Sequence, residues 1–232
     1  MGRRTGKIAI VAALEREVRP LIRGWRAVHS ERDGRRITFF ENGDLVVVCG
    51  GIGGEGARRA AEAVIARYAP GVIYSAGFAG SLTPGLKIGD VFCPARVINA
   101  GDGSSVTLDG GDGVLVTFAA IAGPEQKKNL RDAYAAQAVD MEAAAVARAA
   151  ETRSVRFAVI KVISDEFDFV FPSMERFVSA RGEFSEWKFA VYAAMRPWLW
   201  PRVTELMRNS ARASRVLCGQ LREVATSEAG AE

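Results

Sequence analysis

The most constraining feature of this sequence is a set of short apolar runs that do not alternate with polar residues. Residues 7–13, 45–49, 71–76 and 157–164 are rich in valine, isoleucine and alanine at successive positions. A strand with one wet face shows a period of two, whereas a run that is apolar throughout must be covered on both faces. Helical periodicity separates these runs, at 15–25, 54–68, 124–134, 141–152, part of 172–194, and 200–222. Further strands are expected at 37–41, 90–93 and 113–117. The pattern predicts an α/β fold, a three-layer sandwich with a central mixed, largely parallel sheet. Active sites in such folds collect at the carboxyl ends of strands.

A chain of 232 residues, 49% of them hydrophobic, can bury one substantial core. A single domain over 1–225 is expected, with a disordered tail at 226–232. The start imitates a signal peptide, but Glu15, Arg16 and Glu17 end its apolar stretch without a cleavage site. No apolar run reaches the roughly 18 residues of a membrane span. Cys49, Cys93 and Cys218 are odd in number and lack a C-x-x-C spacing, which implies neither a disulfide framework nor a zinc site. A soluble, cytoplasmic protein is the expectation. The Gly/Asp/Ser-rich stretch 99–112 reads as a loop.

The net charge is +4, and six arginines against one glutamate lie between Arg196 and Arg222. No nucleic-acid motif accompanies them, so a solvated helix face is expected and no nucleic-acid partner. The single histidine, His29, is expected at the surface.

Gly51-x-Gly53-x-x-Gly56 follows an apolar run and precedes a helical segment, as a dinucleotide fingerprint would. That site also needs an acidic residue about 20 positions later, at the end of the next strand, to hold a ribose. Here the next strand ends in Ala76, Gly77 and Phe78. The acid is missing, and the glycines fit equally a turn that lets backbone approach another group. P-loop and nucleophile-elbow motifs are absent. What remains is a supply of carboxylates just beyond strand ends: Glu15 and Glu17, Asp140 and Glu142, and Asp165.

Around these carboxylates five ordered motifs resemble the nucleoside phosphorylase superfamily. They are Lys7-Ile-Ala-Ile-Val-Ala-Ala-Leu-Glu-Arg-Glu-Val18, the Gly51-Ile52-Gly53 turn, Ser75-Ala-Gly-Phe-Ala-Gly-Ser-Leu82 followed by Leu86-Lys-Ile-Gly-Asp-Val91, Ala138-Val-Asp-Met-Glu-Ala-Ala-Ala145, and Val162-Ile-Ser-Asp165. The pattern is most similar to the methylthioadenosine/S-adenosylhomocysteine nucleosidase branch and covers about residues 7 to 170. The resemblance implies cleavage of the N-glycosidic bond of a purine nucleoside, with adenine the expected base, no cofactor or metal, and a homo-oligomer, a dimer being favoured.

Departure of a base leaves a ribosyl oxocarbenium cation, so such a site needs an acid for the base, negative charge near the cation and an activated nucleophile. By correspondence with the family, Asp165 would protonate or hydrogen-bond purine N7, Glu142 would hold the ribose hydroxyls, and Glu17 would orient and deprotonate a water. Met141 would pack on the ribose. Leu14, Ile52, Phe78 and Ile121 would line the base and 5′ pockets, where plain core packing is the competing reading for Met141 and Leu14.

The chain departs from the family at several positions. Lys161 stands where the nucleosidases usually carry arginine, Phe78 replaces a small polar residue, and Ile121 with Ala122 falls where an aromatic usually stacks on adenine. The phosphorylases clamp phosphate with an arginine at the position of Ser75, which favours water as nucleophile here. Arg16, Arg19 and Lys161 offer a substitute anion site, so phosphate remains the alternative co-substrate. A nucleoside-binding domain without turnover is a third reading. The carboxyl-terminal stretch from Arg196 to Arg202 and beyond is loosely similar to hopanoid-associated phosphorylases, which implies a lipid-linked adenosine and peripheral membrane contact through its Trp and Arg residues. Anchoring of the last helix or of an oligomer interface is the competing reading for those tryptophans.

Overall fold

The structure, a computed structural model, describes residues 6–32, 34–170 and 200–230. Strand β1 (Ile8–Ala12) is buried at every position, and its side chains divide between two cores. Ile8, Ile10 and Ala12 face helices α1 (Glu15–Ile22) and α5 (Trp200–Gly230), where they meet Val18, Leu21, Leu217 and Leu221. Ala9 and Val11 face α2 (Gly54–Tyr68) and α4 (Ala143–Thr152), whose Ala57, Ala60, Ala61 and Ala150 let the helices lie close on the sheet. This division is what a run without polar alternation requires. The three-layer α/β arrangement expected from the sequence is the one observed.

The other strands are β2 (Arg26–Arg32), β3 (Arg35–Asn42), β4 (Leu45–Cys49), β5 (Val72–Ser81), β6 (Val91–Phe92), β7 (Arg96–Asn99), β8 (Ser105–Thr107), β9 (Val114–Thr117), β10 (Ala138–Asp140) and β11 (Arg156–Asp165), with α3 (Pro124–Tyr134) between β9 and β10. They join one mixed sheet in the order β2-β3-β4-β1-β5-β10-β9-β7-β8, with β11 paired to β5 and β6. The pairs β1–β4, β1–β5, β5–β11, β9–β10 and β7–β9 are parallel.

β5 positions the site. One of its edges pairs with β11 from Val72 to Gly80. Its other edge pairs with β1 only from Val72 to Ser75, then with β10 at Gly80 and Ser81. Between the two partners the sheet opens along Ala76 to Ala79, at the carboxyl end of β1. The exit of β1, the centre of β5 and the ends of β10 and β11 therefore converge on one place.

Several elements differ from the expectation. β5 runs five residues past Ala76, because its glycines remain extended and paired with β11. β2, β7 and β10 were not foreseen: β2 is a polar edge strand, and the other two are very short. β8 lies inside the stretch read as loop. α1 stops at Ile22, three residues before Trp25. α5 continues to Gly230 where a disordered tail was expected, and its last turns are tied down by Glu228, which accepts hydrogen bonds from Tyr74 Oη (2.8 Å) and Arg156 Nη2 (2.6 Å). The helix expected within 172–194, together with Arg196 and Trp198, lies outside the described residues.

On α5 the inner side carries Ala213, Leu217, Cys218 and Leu221, whereas Arg202, Arg208, Arg212, Arg215 and Arg222 are exposed. His29 is exposed and pairs with Thr38 Oγ1. No described helix is long and apolar enough to cross a membrane.

Candidate active site

The opening in the sheet is the floor of a cavity of about 1190 Å³. Glu17, Glu142 and Asp165, the three carboxylates singled out in the sequence, all line it. So do Leu14, Arg16, Ile52, Phe78, Ile121 and Met141. Two proposed site residues do not reach it. Ser75 is buried within β5 between Val11 and Val159, and Lys161 is buried behind the carboxylates.

Glu17 enters from the first turn of α1, immediately after β1. Ser214 of α5 donates to its main-chain oxygen at 2.9 Å and fixes that turn. The Glu17 side chain is 6% exposed, and its Oε2 accepts no hydrogen bond among the described residues. Burial raises its pKa to about 7, with the Glu142 carboxylate adding to the rise and Lys161 and Arg16 opposing it. A carboxylate with a vacant oxygen and a pKa near neutrality is suited to take a proton from a neutral nucleophile. Gly77 keeps the space clear, since a side-chain carbon there would lie 2.9 Å from Oε2.

Glu142 sits between β10 and α4, just before the helix begins. Gly53, at φ +95°, directs its N–H to Glu142 Oε1 at 2.8 Å, and the Met141 N–H donates to Oε2 at 3.2 Å. The glycine pattern that imitates a dinucleotide fingerprint thus serves the carboxylate, with Gly53 in a conformation that side chains disfavour. Burial and the neighbouring Asp140 hold the Glu142 carboxyl above its ordinary range.

Asp140 anchors this half of the site. Its Oδ1 accepts from Thr117 Oγ1 (2.6 Å), while Oδ2 accepts from the Ala143 N–H (2.8 Å) and from Lys161 Nζ (2.9 Å). Burial alone would push the Lys161 ammonium down, but Asp140, Glu142 and Glu17 outweigh it and hold the lysine above its ordinary value. Lys161 is therefore a buried cation that balances three acids.

Asp165 ends β11 at an irregularity where the register with β5 shifts between Ile163 and Asp165. Such a bulge re-aims a side chain. Its Oδ2 accepts from Lys127 Nζ at 2.5 Å and its Oδ1 from Ser164 Oγ at 2.8 Å. Lys127 Nζ also donates to the Glu166 carbonyl at 2.6 Å.

Lys127 and Asp140 are the residues that sequence reasoning passed over. Asp140 stands among the strand-end acids without a role assigned to it. Lys127 is adjacent to Lys128 in a charged helix, and its only sequence signal is its position three residues before the buried Leu130, on the same helix face. No group of three metal-ligating side chains occurs among the described residues.

The chain is similar to known proteins in sequence and in fold. A 5′-methylthioadenosine/S-adenosylhomocysteine nucleosidase of Anoxybacillus flavithermus is 26% identical over 199 residues, covering 68% of this chain and 84% of that protein. The fold is similar to that of the apo 5′-methylthioadenosine nucleosidase of Arabidopsis thaliana, with a TM-score of 0.73 and 20% identity over 97% of both chains. It is similar also to futalosine hydrolase of Helicobacter pylori, with a TM-score of 0.68 and 18% identity over 94% of this chain and 98% of that one. The sequence model of the Phosphorylase superfamily matches residues 7–124 and 112–186, which span the whole carboxylate site, and the chain belongs to that superfamily.

Proposed function

We propose that this protein hydrolyses the N-glycosidic bond of an adenine nucleoside with a modified 5′ position, a substrate of the methylthioadenosine class. The observation that carries the reading is the convergence of Glu17, Glu142 and Asp165 on one cavity, with Glu17 held near pH 7 and one of its oxygens vacant. Asp165 faces the leaving base, Glu142 accepts from the ribose hydroxyls, and Glu17 takes a proton from the attacking water. The carboxylates also stabilise the ribosyl cation as the C–N bond lengthens. Met141 packs on the ribose, Phe78 and Ile121 border the base, and Leu14 and Ile52 border the 5′ substituent.

Water is favoured over phosphate by the charge around Glu17. Lys161 is engaged by Asp140 at 2.9 Å. A phosphate beside Glu17 would meet Arg16, but also the Glu17, Glu142 and Asp140 carboxylates, an acidic excess that disfavours an anion. The experiment is incubation of the full chain with a nucleoside panel, with and without phosphate, followed by chromatography of the products. Free adenine and free ribose derivative without phosphate are expected. Release that requires phosphate would replace hydrolysis with phosphorolysis, and binding without release would make the chain a nucleoside-binding domain.

A bulkier, lipid-like 5′ substituent is the second reading. It is favoured by the cavity's continuation along Val203, Leu206 and Met207 of α5 and by the exposed Trp200 and Met207 beside its arginines. Cosedimentation of the protein with anionic vesicles tests the membrane contact that this reading needs.

A further inference from the structure

We infer that Lys127 supplies the proton that leaves with the base, passing it through Asp165. The inference rests on the proposed glycosidic cleavage and assigns the residue that makes its acid step work.

An acid at the leaving base must hold a proton it can give. Asp165 is not arranged as one, because Oδ2 already accepts from the Lys127 ammonium and Oδ1 from Ser164 Oγ. It meets the cavity as an acceptor on both oxygens. The donor of the pair is Lys127, whose side chain is 2% exposed and also lines the cavity.

The fold makes room for this pair. On α3 only Lys127 and Leu130 are buried, so the helix carries an ammonium inward where an apolar residue would cost less. A side-chain carbon at Gly80 would stand 2.7 Å from Asp165 Oδ2 and 3.2 Å from Lys127 Cε, and the glycine leaves that space to the two charged groups. The pair lies in the wall of the cleft, with Lys127 Nζ within hydrogen-bond distance of the carboxylate.

As the C–N bond breaks, its electron pair stays with the base. One proton passes from Lys127 Nζ to the Asp165 carboxylate, and one from that carboxyl to the ring nitrogen of the base. Lys127 is left as a neutral amine and regains a proton from solvent after the base departs.

The test uses the full chain, a purine ribonucleoside that it cleaves, and p-nitrophenyl β-D-ribofuranoside, whose leaving group departs as an anion without protonation. Two variants are compared with the parent. Lys127→Gln removes the charge, and Lys127→Arg keeps the charge and the ion pair but cannot release a proton at accessible pH. Both variants are expected to lose about 100-fold or more in kcat on the purine nucleoside while keeping the aryl riboside rate within about threefold. Above pH 7, where Glu17 is ionised, their residual purine cleavage is expected to rise about tenfold per unit as pH falls, because solvent must then supply the proton. Recovery of purine cleavage in Lys127→Arg, or equal losses on both substrates, would reduce Lys127 to an ion-pair partner and overturn the inference. A parent that cleaves neither substrate overturns the proposed function and this inference together.

Discussion

Lys161 Nζ lies 2.9 Å from Asp140 Oδ2, with the two side chains 2% and 0% exposed. Asp140 in turn receives the first N–H of α4 and the Thr117 hydroxyl, so one ion pair connects β11, β9 and the helix that begins beside Glu142. Removing the cation alone strands a buried carboxylate among two others.

Lys161→Met is therefore expected to lower folding stability by about 3–5 kcal/mol, measured by urea unfolding at pH 7. Adding Asp140→Asn should recover part of the loss, since the amide keeps an acceptor for the Ala143 N–H without the unpaired charge. A Lys161→Met protein within about 1 kcal/mol of the parent would mean that the pair is solvated and not structural.

Glu17 makes two linked predictions about pH. As the base it works only when ionised, so kcat/KM should rise with pH through about 7 and then level. Its folded value stands above the ordinary value of 4.5, so the folded chain binds the extra proton between about 4.5 and 7, and this group's contribution to stability falls as pH rises through that window. Glu17→Gln abolishes that dependence. The variant should lose activity by about 100-fold or more, yet its stability relative to the parent should improve by about 2–3 kcal/mol between pH 5 and pH 8. An unchanged stability difference across that range would contradict the burial of this carboxylate.

The central sheet and its carboxylates were readable for the same physical reason. Strands covered on both faces cannot tolerate alternation, so β1, β4, the first half of β5 and β11 announce themselves, and acids placed directly after them fall at the open end of a parallel sheet. The edges were not readable. β2 is too polar and β10 too short to carry a period, and both depend on a neighbouring strand for their hydrogen bonds. Asp140 and Lys161 appear in sequence as two unrelated charges 21 positions apart, and only the branching of β5 between β10 and β11 brings them together. Lys127 is hidden for a different reason, because a helix whose face is mostly wet gives no sign that one of its lysines points inward.

Glu142 is expected to read the ribose. Both of its oxygens accept a backbone N–H, from Gly53 and Met141, which holds the carboxylate in place and leaves its remaining lone pairs for adjacent hydroxyls. The parent should use 2′-deoxynucleosides about 100-fold less well than ribonucleosides in kcat/KM. Glu142→Gln should erase most of that preference, because its amide group must turn a donor toward one of the two backbone N–H groups. Equal use of both sugars by the parent would take Glu142 away from the ribose.

The 5′ end of the substrate is expected to be read by α5. Ser214 fixes this helix to the Glu17 turn, and Leu206 lines the cavity one and two helical turns from Ser210 and Ser214. A 5′-alkylthio group placed against Leu206 leaves water for an apolar wall, and a single such contact is worth about tenfold or more in discrimination. The parent should therefore cleave a 5′-alkylthio nucleoside more efficiently than the 5′-hydroxyl nucleoside with the same base. Leu206→Asn should cut kcat/KM about tenfold for the first and leave the second within about twofold, since the base and ribose contacts are untouched. Equal losses for both substrates would show that Leu206 supports the helix instead of meeting the substituent, and a parent that prefers the 5′-hydroxyl would place the polar end of the substrate against α5.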